Sequence, residues 1–131
     1  MARRHLAIFL KKGAEKILSG QKQVEIRLSQ ARIAPYGVIA KNDEIYLKDA
    51  GGLILGRVEV DNVLFYDSLT YEMIANIRRE YADTVLLEDS FWQNKANSRY
   101  ATIIFLKNPR KFLAPLKSQK HDRRAWMVME E

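Results

Sequence analysis

The sequence predicts an α+β fold, a small β-barrel of mixed strands with helices inserted between them. Strand-like segments gather toward the two ends of the chain, two helical segments fall together in the middle, and the alternation of strand and helix that marks a doubly wound sheet is absent. At 131 residues the chain is expected to form one domain over residues 1–131, large enough for a real core.

Residues 6–10 read as the first strand. After Gly13, Ala14, Ile17 and Leu18 share one face of about two helical turns, and Gly20 stands where a left-handed C-terminal cap is wanted, so a helix is predicted over 13–19. From Lys22 the period changes to two: Val24 and Ile26 point one way, Gln23, Glu25 and Arg27 the other, giving a strand over 23–28 with one packed and one charged face. Residues 29–42, with Pro35-Tyr36-Gly37 and Lys41-Asn42-Asp43, carry turn chemistry and predict a long loop of the kind that is often functional.

A hairpin follows. Residues 44–48 alternate, Asp49-Ala50-Gly51-Gly52 supplies the turn, and residues 53–66 resume strand character, with Val58 and Val60 facing away from Arg57, Glu59 and Asp61. Gly56 marks a bulge or a close backbone approach. Ser68 or Thr70 caps a helix over 71–81, whose Met73, Ile74, Ile77 and Tyr81 form an apolar stripe. A second helix around 86–95 presents Leu87, Phe91 and Trp92. Residues 100–106 are almost wholly apolar and suit a central strand buried on both sides. Asn108-Pro109-Arg110 is expected to break that strand before another over 111–114, a basic loop over 117–124, and a closing strand at 126–129.

Composition excludes several classes. Apolar residues make up 47% and charged residues 29%, as in soluble globular proteins, and no apolar run approaches the roughly 20 residues of a membrane span. The apolar run at 6–10 is followed at once by Lys11-Lys12, too short for a signal peptide, so a cytoplasmic location is expected. With no cysteine and only His5 and His121, neither a disulfide nor a metal site is expected, and no cofactor is implied. The net charge of +6 is unevenly spread: residues 1–48 carry +6, residues 49–95 carry −5, and residues 96–131 carry +5. If the first and last strands are neighbours, the two basic segments merge into one positive surface that attracts phosphate backbones.

The most informative segment is Gly20-Gln21-Lys22-Gln23-Val24-Glu25-Ile26-Arg27. A glycine, a lysine two residues on, a glutamate three further and an arginine two beyond that, after a short helix, resembles the signature of the ASCH family of PUA-like domains. The resemblance runs from about Leu6 through the signature strand to residues 100–105 and on to 126–128, and it narrows the fold to a PUA-like barrel. Many members carry a proline and an aromatic before the first helix, where this chain has Lys11-Lys12-Gly13. One bacterial branch resembles an amidohydrolase of acetylated cytidine that uses a lysine, a threonine in the signature strand and a glutamate elsewhere. Lys22 matches that lysine, but Glu25 stands in the threonine's place and cannot be the same hydroxyl nucleophile; hydrolysis through an activated water stays open.

Lys22 is the leading site candidate, binding phosphate as a point charge or, partly desolvated, acting as a base. Against this stands a plain surface lysine after a helix cap. Glu25 and Arg27 read either as a surface salt bridge of little worth or as a fixed pair, Glu25 accepting from a base amino group or orienting Lys22, and Arg27 contacting phosphate or stacking on a base. Ser98 and Tyr100 enter the apolar strand and reach the same mouth if the strands are neighbours, although a lone serine is more often a turn residue. Arg123 and Arg124 before Trp126 interleave charge with an aromatic; Tyr46, Trp92 and Trp126 stack bases only where exposed, and barrel aromatics are more often core.

The expected function is binding of RNA, or a nucleoside or nucleotide, in a basic cleft beside the signature strand, framed by the 29–42 and 117–124 loops. Unstacked, single-stranded RNA is favoured over duplex DNA, since no groove-reading motif is present. The rival is a small hydrolase of modified nucleosides or RNA with Lys22 and Glu25 as the acid/base pair. A protein-interaction module, using apolar surface around Phe91 and Trp92, is the third class.

Overall fold

The computed structural model describes residues 2–118 and 124–129. Along the chain lie β1 (Arg4–Phe9), α1 (Gly13–Leu18), β2 (Val24–Ser29), β3 (Glu44–Asp49), β4 (Ile54–Tyr66), α2 (Tyr71–Val85), α3 (Asp89–Asn94), β5 (Tyr100–Leu116) and β6 (Trp126–Met129). The strands form one mixed sheet in the order β2-β5-β4-β3-β1-β6. β1 runs parallel to β3, and the other neighbouring pairs are antiparallel.

The sheet curls into a half-barrel, so the α+β, PUA-like expectation holds. Its edge strands are β2 and β6. β1 and β6 are direct neighbours, with Arg4 opposite Met129 and Ala7 opposite Trp126, so the two ends of the chain meet, the condition on which the merging of their basic segments depended.

Curling gives the sheet two packed faces. Inside, Ala7, Ile45, Leu47, Val58, Val60 and Ile104 form a core that α1 joins through Ala14 and Ile17. Outside, Val24, Ile26 and Leu28 of β2, with Ala101 and Ile103 of β5, lie under Ile74 and Ile77 of α2 and under Trp92. Each fully buried aliphatic side chain contributes roughly 1.5–3 kcal/mol.

Local chemistry set the helix ends. Gly20 adopts φ +84, the left-handed cap read from the sequence. Thr70, and not Ser68, caps α2, its hydroxyl accepting from the Met73 amide at 3.2 Å. α2 runs one turn past the predicted end because Val85 is still buried in the core, and Leu86 stops it in a left-handed conformation. The second predicted helix is accordingly shorter than 86–95, spanning Asp89–Asn94.

Two expectations are corrected. Asn108-Pro109-Arg110 does not end the strand: β5 continues from Tyr100 to Leu116, and the three residues form a bulge in which Asn108 takes φ 53 while the register against β4 shifts between Arg57 and Glu59. A proline is tolerated there because a bulge needs no ladder donor. The Glu25 face of β2 is not solvated. Because the sheet curls over it, both faces of β2 are packed. Gly56 is both a bulge and a close approach, since a Cβ there would sit 2.4 Å from the Arg110 carbonyl oxygen.

Candidate functional site

The turn after α1 delivers Lys22. Gly20 reverses the chain, the Lys22 amide donates to the Lys16 carbonyl at 3.0 Å, and the Gln23 amide donates to the Thr84 carbonyl at 3.0 Å. These bonds fix the entry of β2 and turn the Lys22 side chain inward, where it is 3% exposed. Glu25, one turn of strand further, is 4% exposed.

Glu25 lies between two cations. Lys22 Nζ donates to its Oε1 at 2.9 Å and Arg27 Nε to its Oε2 at 2.8 Å, while the Ile26 amide also donates to Oε1 at 3.2 Å. Burial pushes this carboxyl up, but the charges of Arg27 and Lys22, with their hydrogen bonds, outweigh it and hold the group below its ordinary value. Glu25 therefore stays ionised, one carboxylate shared between two basic side chains.

Arg27 is committed beyond Glu25. Its Nη2 donates to the Ile8 carbonyl of β1 at 3.1 Å and its Nη1 to the Ala125 carbonyl just before β6 at 3.4 Å. The guanidinium also lies over Phe9 and Trp126, 4.9 and 5.1 Å from the ring centroids. It thus bridges the gap between β2 and the β1/β6 edge. Lys22 is less committed: among the described residues Nζ has one hydrogen-bond partner, Glu25. Its remaining hydrogens are available to a ligand.

That gap opens into a cleft of about 800 Å³. Lys22, Glu25, Arg27 and Thr102 line it. Phe9, Ile33, Leu87 and Phe91 give it an apolar lining. Lys11, Lys16, Lys95 and Arg124 also line it, against a single further acid among the described residues, Glu88.

The other predicted residues are placed differently. Ser98 is buried in the turn between α3 and β5, where its amide donates to the Lys95 carbonyl, and it does not line the cleft. Tyr100 also lies outside the cleft lining and packs edge-on against Tyr36. Arg123 lies outside the described residues. Tyr46 packs on Phe112, Trp92 is buried under α2, and Trp126 is buried beside His5. Trp92 is buried and so offers no docking surface, whereas Phe91 is half-buried.

Two features escaped sequence reasoning. Thr102 stands opposite Arg27 in the β2–β5 ladder and so shares its inward face. The only signal was a hydroxyl in an otherwise apolar run. The second is a buried set behind the cleft: His5 Nε2 pairs with Asp43 Oδ2 at 2.8 Å, and Trp126 Nε1 donates to His5 Nδ1 at 3.1 Å. Asp43 also accepts from the Arg3 and Ala40 amides, which ties the end of the long loop to β1. No local motif joins residues so far apart in sequence. Among the described residues no group of three or more His, Cys, Asp or Glu is placed to hold a metal ion.

Similarity to known proteins agrees with this architecture. The crystal structure of ASCH from Zymomonas mobilis superposes with a TM-score of 0.76 at 14% identity, covering 98% of this chain and 89% of that one. The N-terminal domain of Staphylothermus marinus McrB gives a TM-score of 0.54 at 12% identity, covering 89% of this chain and 77% of that one. No curated protein matches the chain. The ASCH domain as a sequence family matches residues 10–116, which include the whole signature strand and all of β5, and the chain belongs to that family.

Proposed function

We propose that this protein binds single-stranded RNA by seating one nucleotide in the cleft beside β2. The observation that carries the reading is Lys22: a buried ammonium, held by one carboxylate, at the floor of a cleft with apolar walls and several further cations around it. Apolar walls accept the faces of an unstacked base, and the surrounding lysines and Arg124 attract the phosphates on either side. Glu25 orients Lys22, and Arg27, with three of its five N–H groups directed to Glu25 and two carbonyls, holds the cleft's two sides together. Lys22 is thus the cation that meets the ligand, and Glu25 and Arg27 position it.

Fluorescence anisotropy of a labelled single-stranded RNA tests this. Lys22→Ala is expected to weaken binding roughly tenfold to hundredfold, the effect of one charge-assisted contact. Wild-type and variant curves that coincide would refute the reading.

One observation favours a second reading. The 2.9 Å contact between Lys22 Nζ and Glu25 Oε1 inside a cleft is the geometry of an acid/base pair for hydrolysis of a modified nucleoside or of RNA. Incubation with acylated nucleosides and with labelled RNA separates the two: turnover abolished by both Lys22→Ala and Glu25→Gln marks an enzyme, and salt-sensitive binding without turnover marks a binder.

A further inference from the structure

Thr102 is 1% exposed and lines the cleft, and its hydroxyl makes no hydrogen bond with any described residue. Yet among the described residues no side-chain oxygen or nitrogen fully cut off from solvent lacks a partner. The Thr102 hydroxyl oxygen therefore keeps a small opening, and the cleft is what that side chain faces. A buried hydroxyl without a partner is unfavourable, and a ligand that supplies one relieves that cost.

We propose that Thr102 is a second ligand-contacting residue and that, together with Lys22, it selects a base carrying a ring carbonyl, uracil, cytosine or guanine, over adenine. This rests on the RNA-binding reading above. Depth assigns the contact to the base and not to phosphate: Lys11 and Lys95 are exposed, whereas Lys22 and Thr102 are buried. Charged phosphates stay with the exposed cations, and only the ring enters between Phe9, Leu87 and Phe91. Lys22 is donor-only, so the inserted edge must present an acceptor to it. A carbonyl oxygen has two lone pairs and accepts from Lys22 and from the Thr102 hydroxyl at once, whereas each acceptor of adenine is a ring nitrogen with a single lone pair and serves only one of them. The Thr102 hydroxyl donates to the same oxygen or accepts from a neighbouring ring N–H.

Labelled oligo-U, oligo-C and oligo-A, titrated against wild type, Thr102→Val, Thr102→Ser and Lys22→Ala, test the proposal. Wild type is expected to prefer oligo-U and oligo-C. Thr102→Val is expected to weaken those two by about three- to tenfold and leave oligo-A nearly unchanged, and Thr102→Ser to recover most of the loss. The thermal midpoint of the isosteric valine variant should stay level or rise, because no internal hydrogen bond is removed. Equal affinity of wild type for all three oligomers, a uniform loss across them, or a loss that follows a lower midpoint would overturn the assignment. Unchanged binding in Thr102→Val while Lys22→Ala still weakens it would overturn Thr102 alone. If Lys22→Ala is also without effect, the RNA reading fails and this proposal with it.

Discussion

Glu25 offers one carboxylate to two cations, the buried Lys22 and the half-buried Arg27, so its charge matters more than its shape. Glu25→Gln keeps the shape and leaves Lys22 and Arg27 facing each other across a neutral amide. Breaking a buried pair in this way costs about 3–5 kcal/mol, and urea unfolding at neutral pH is expected to show a loss of that order. The same group governs acid stability. Because its folded pKa lies below the unfolded value, its contribution is complete above the ordinary glutamate range and is lost as pH falls through the lower, folded value. In the glutamine variant this acid-dependent loss should be missing from the urea midpoint. His5 acts at milder pH. Trp126 Nε1 only donates, so His5 Nδ1 must accept, and the ring proton sits on Nε2 facing Asp43. Burial lowers the His5 pKa, Asp43 opposes this through its hydrogen bond and charge, and Arg3 adds to the lowering; the net shift is downward. The unfolded chain thus takes this proton first, and stability should fall as pH drops from about 6.5 toward the folded value. Nitrogen NMR of the His5 ring should show the neutral Nε2–H tautomer persisting below pH 6.5; a charged ring there would contradict the network.

At the scale of elements, β4 and β5 meet at Gly56 with no room for a side chain. A Cβ at Gly56 would lie 2.4 Å from the Arg110 carbonyl oxygen and 2.7 Å from Leu18 Cδ2, so Gly56→Ala must push β5 or α1 away. A loss of about 1–3 kcal/mol is expected, read as a lower denaturation midpoint with the denaturant slope unchanged. That glycine was legible as a bulge or a close approach because strands rarely spend a residue without a side chain. The nearby Pro109 misled for a related reason: proline reads locally as a stop, yet a bulge opposite Arg57 and Glu59 lets the strand continue. Helix positions followed from periodicity and capping, but the extra turn of α2 did not, since only the packed sheet shows that Val85 is core.

Across the whole molecule, pairing of β1 with β6 joins the basic ends of the chain beside the cleft. Phosphate contacts of this kind make affinity fall with salt. For single strands, each lost cation should lower the slope of log affinity against log salt by about 0.7, so Lys11→Ala and Lys16→Ala together should flatten it measurably without changing base preference. An unchanged slope would place the phosphates elsewhere.

The signature strand was visible because a glycine cap and a period-two pattern are local properties, written in adjacent residues. Lys22, Glu25 and Arg27 were found that way, and so were most element positions. What those residues do was decided by long-range packing. Curling of the sheet enclosed a face that reads as solvated, burying Lys22 and Glu25, and carbonyls of residues 8 and 125 tied Arg27 to the facing β1/β6 edge. Thr102, on a strand about 75 residues away, completed the floor through register alone. Amino-acid order by itself determined which segments become helix or strand and which one carries the charge; the tertiary structure alone determined which charges are buried, because burial depends on partners that no local pattern specifies.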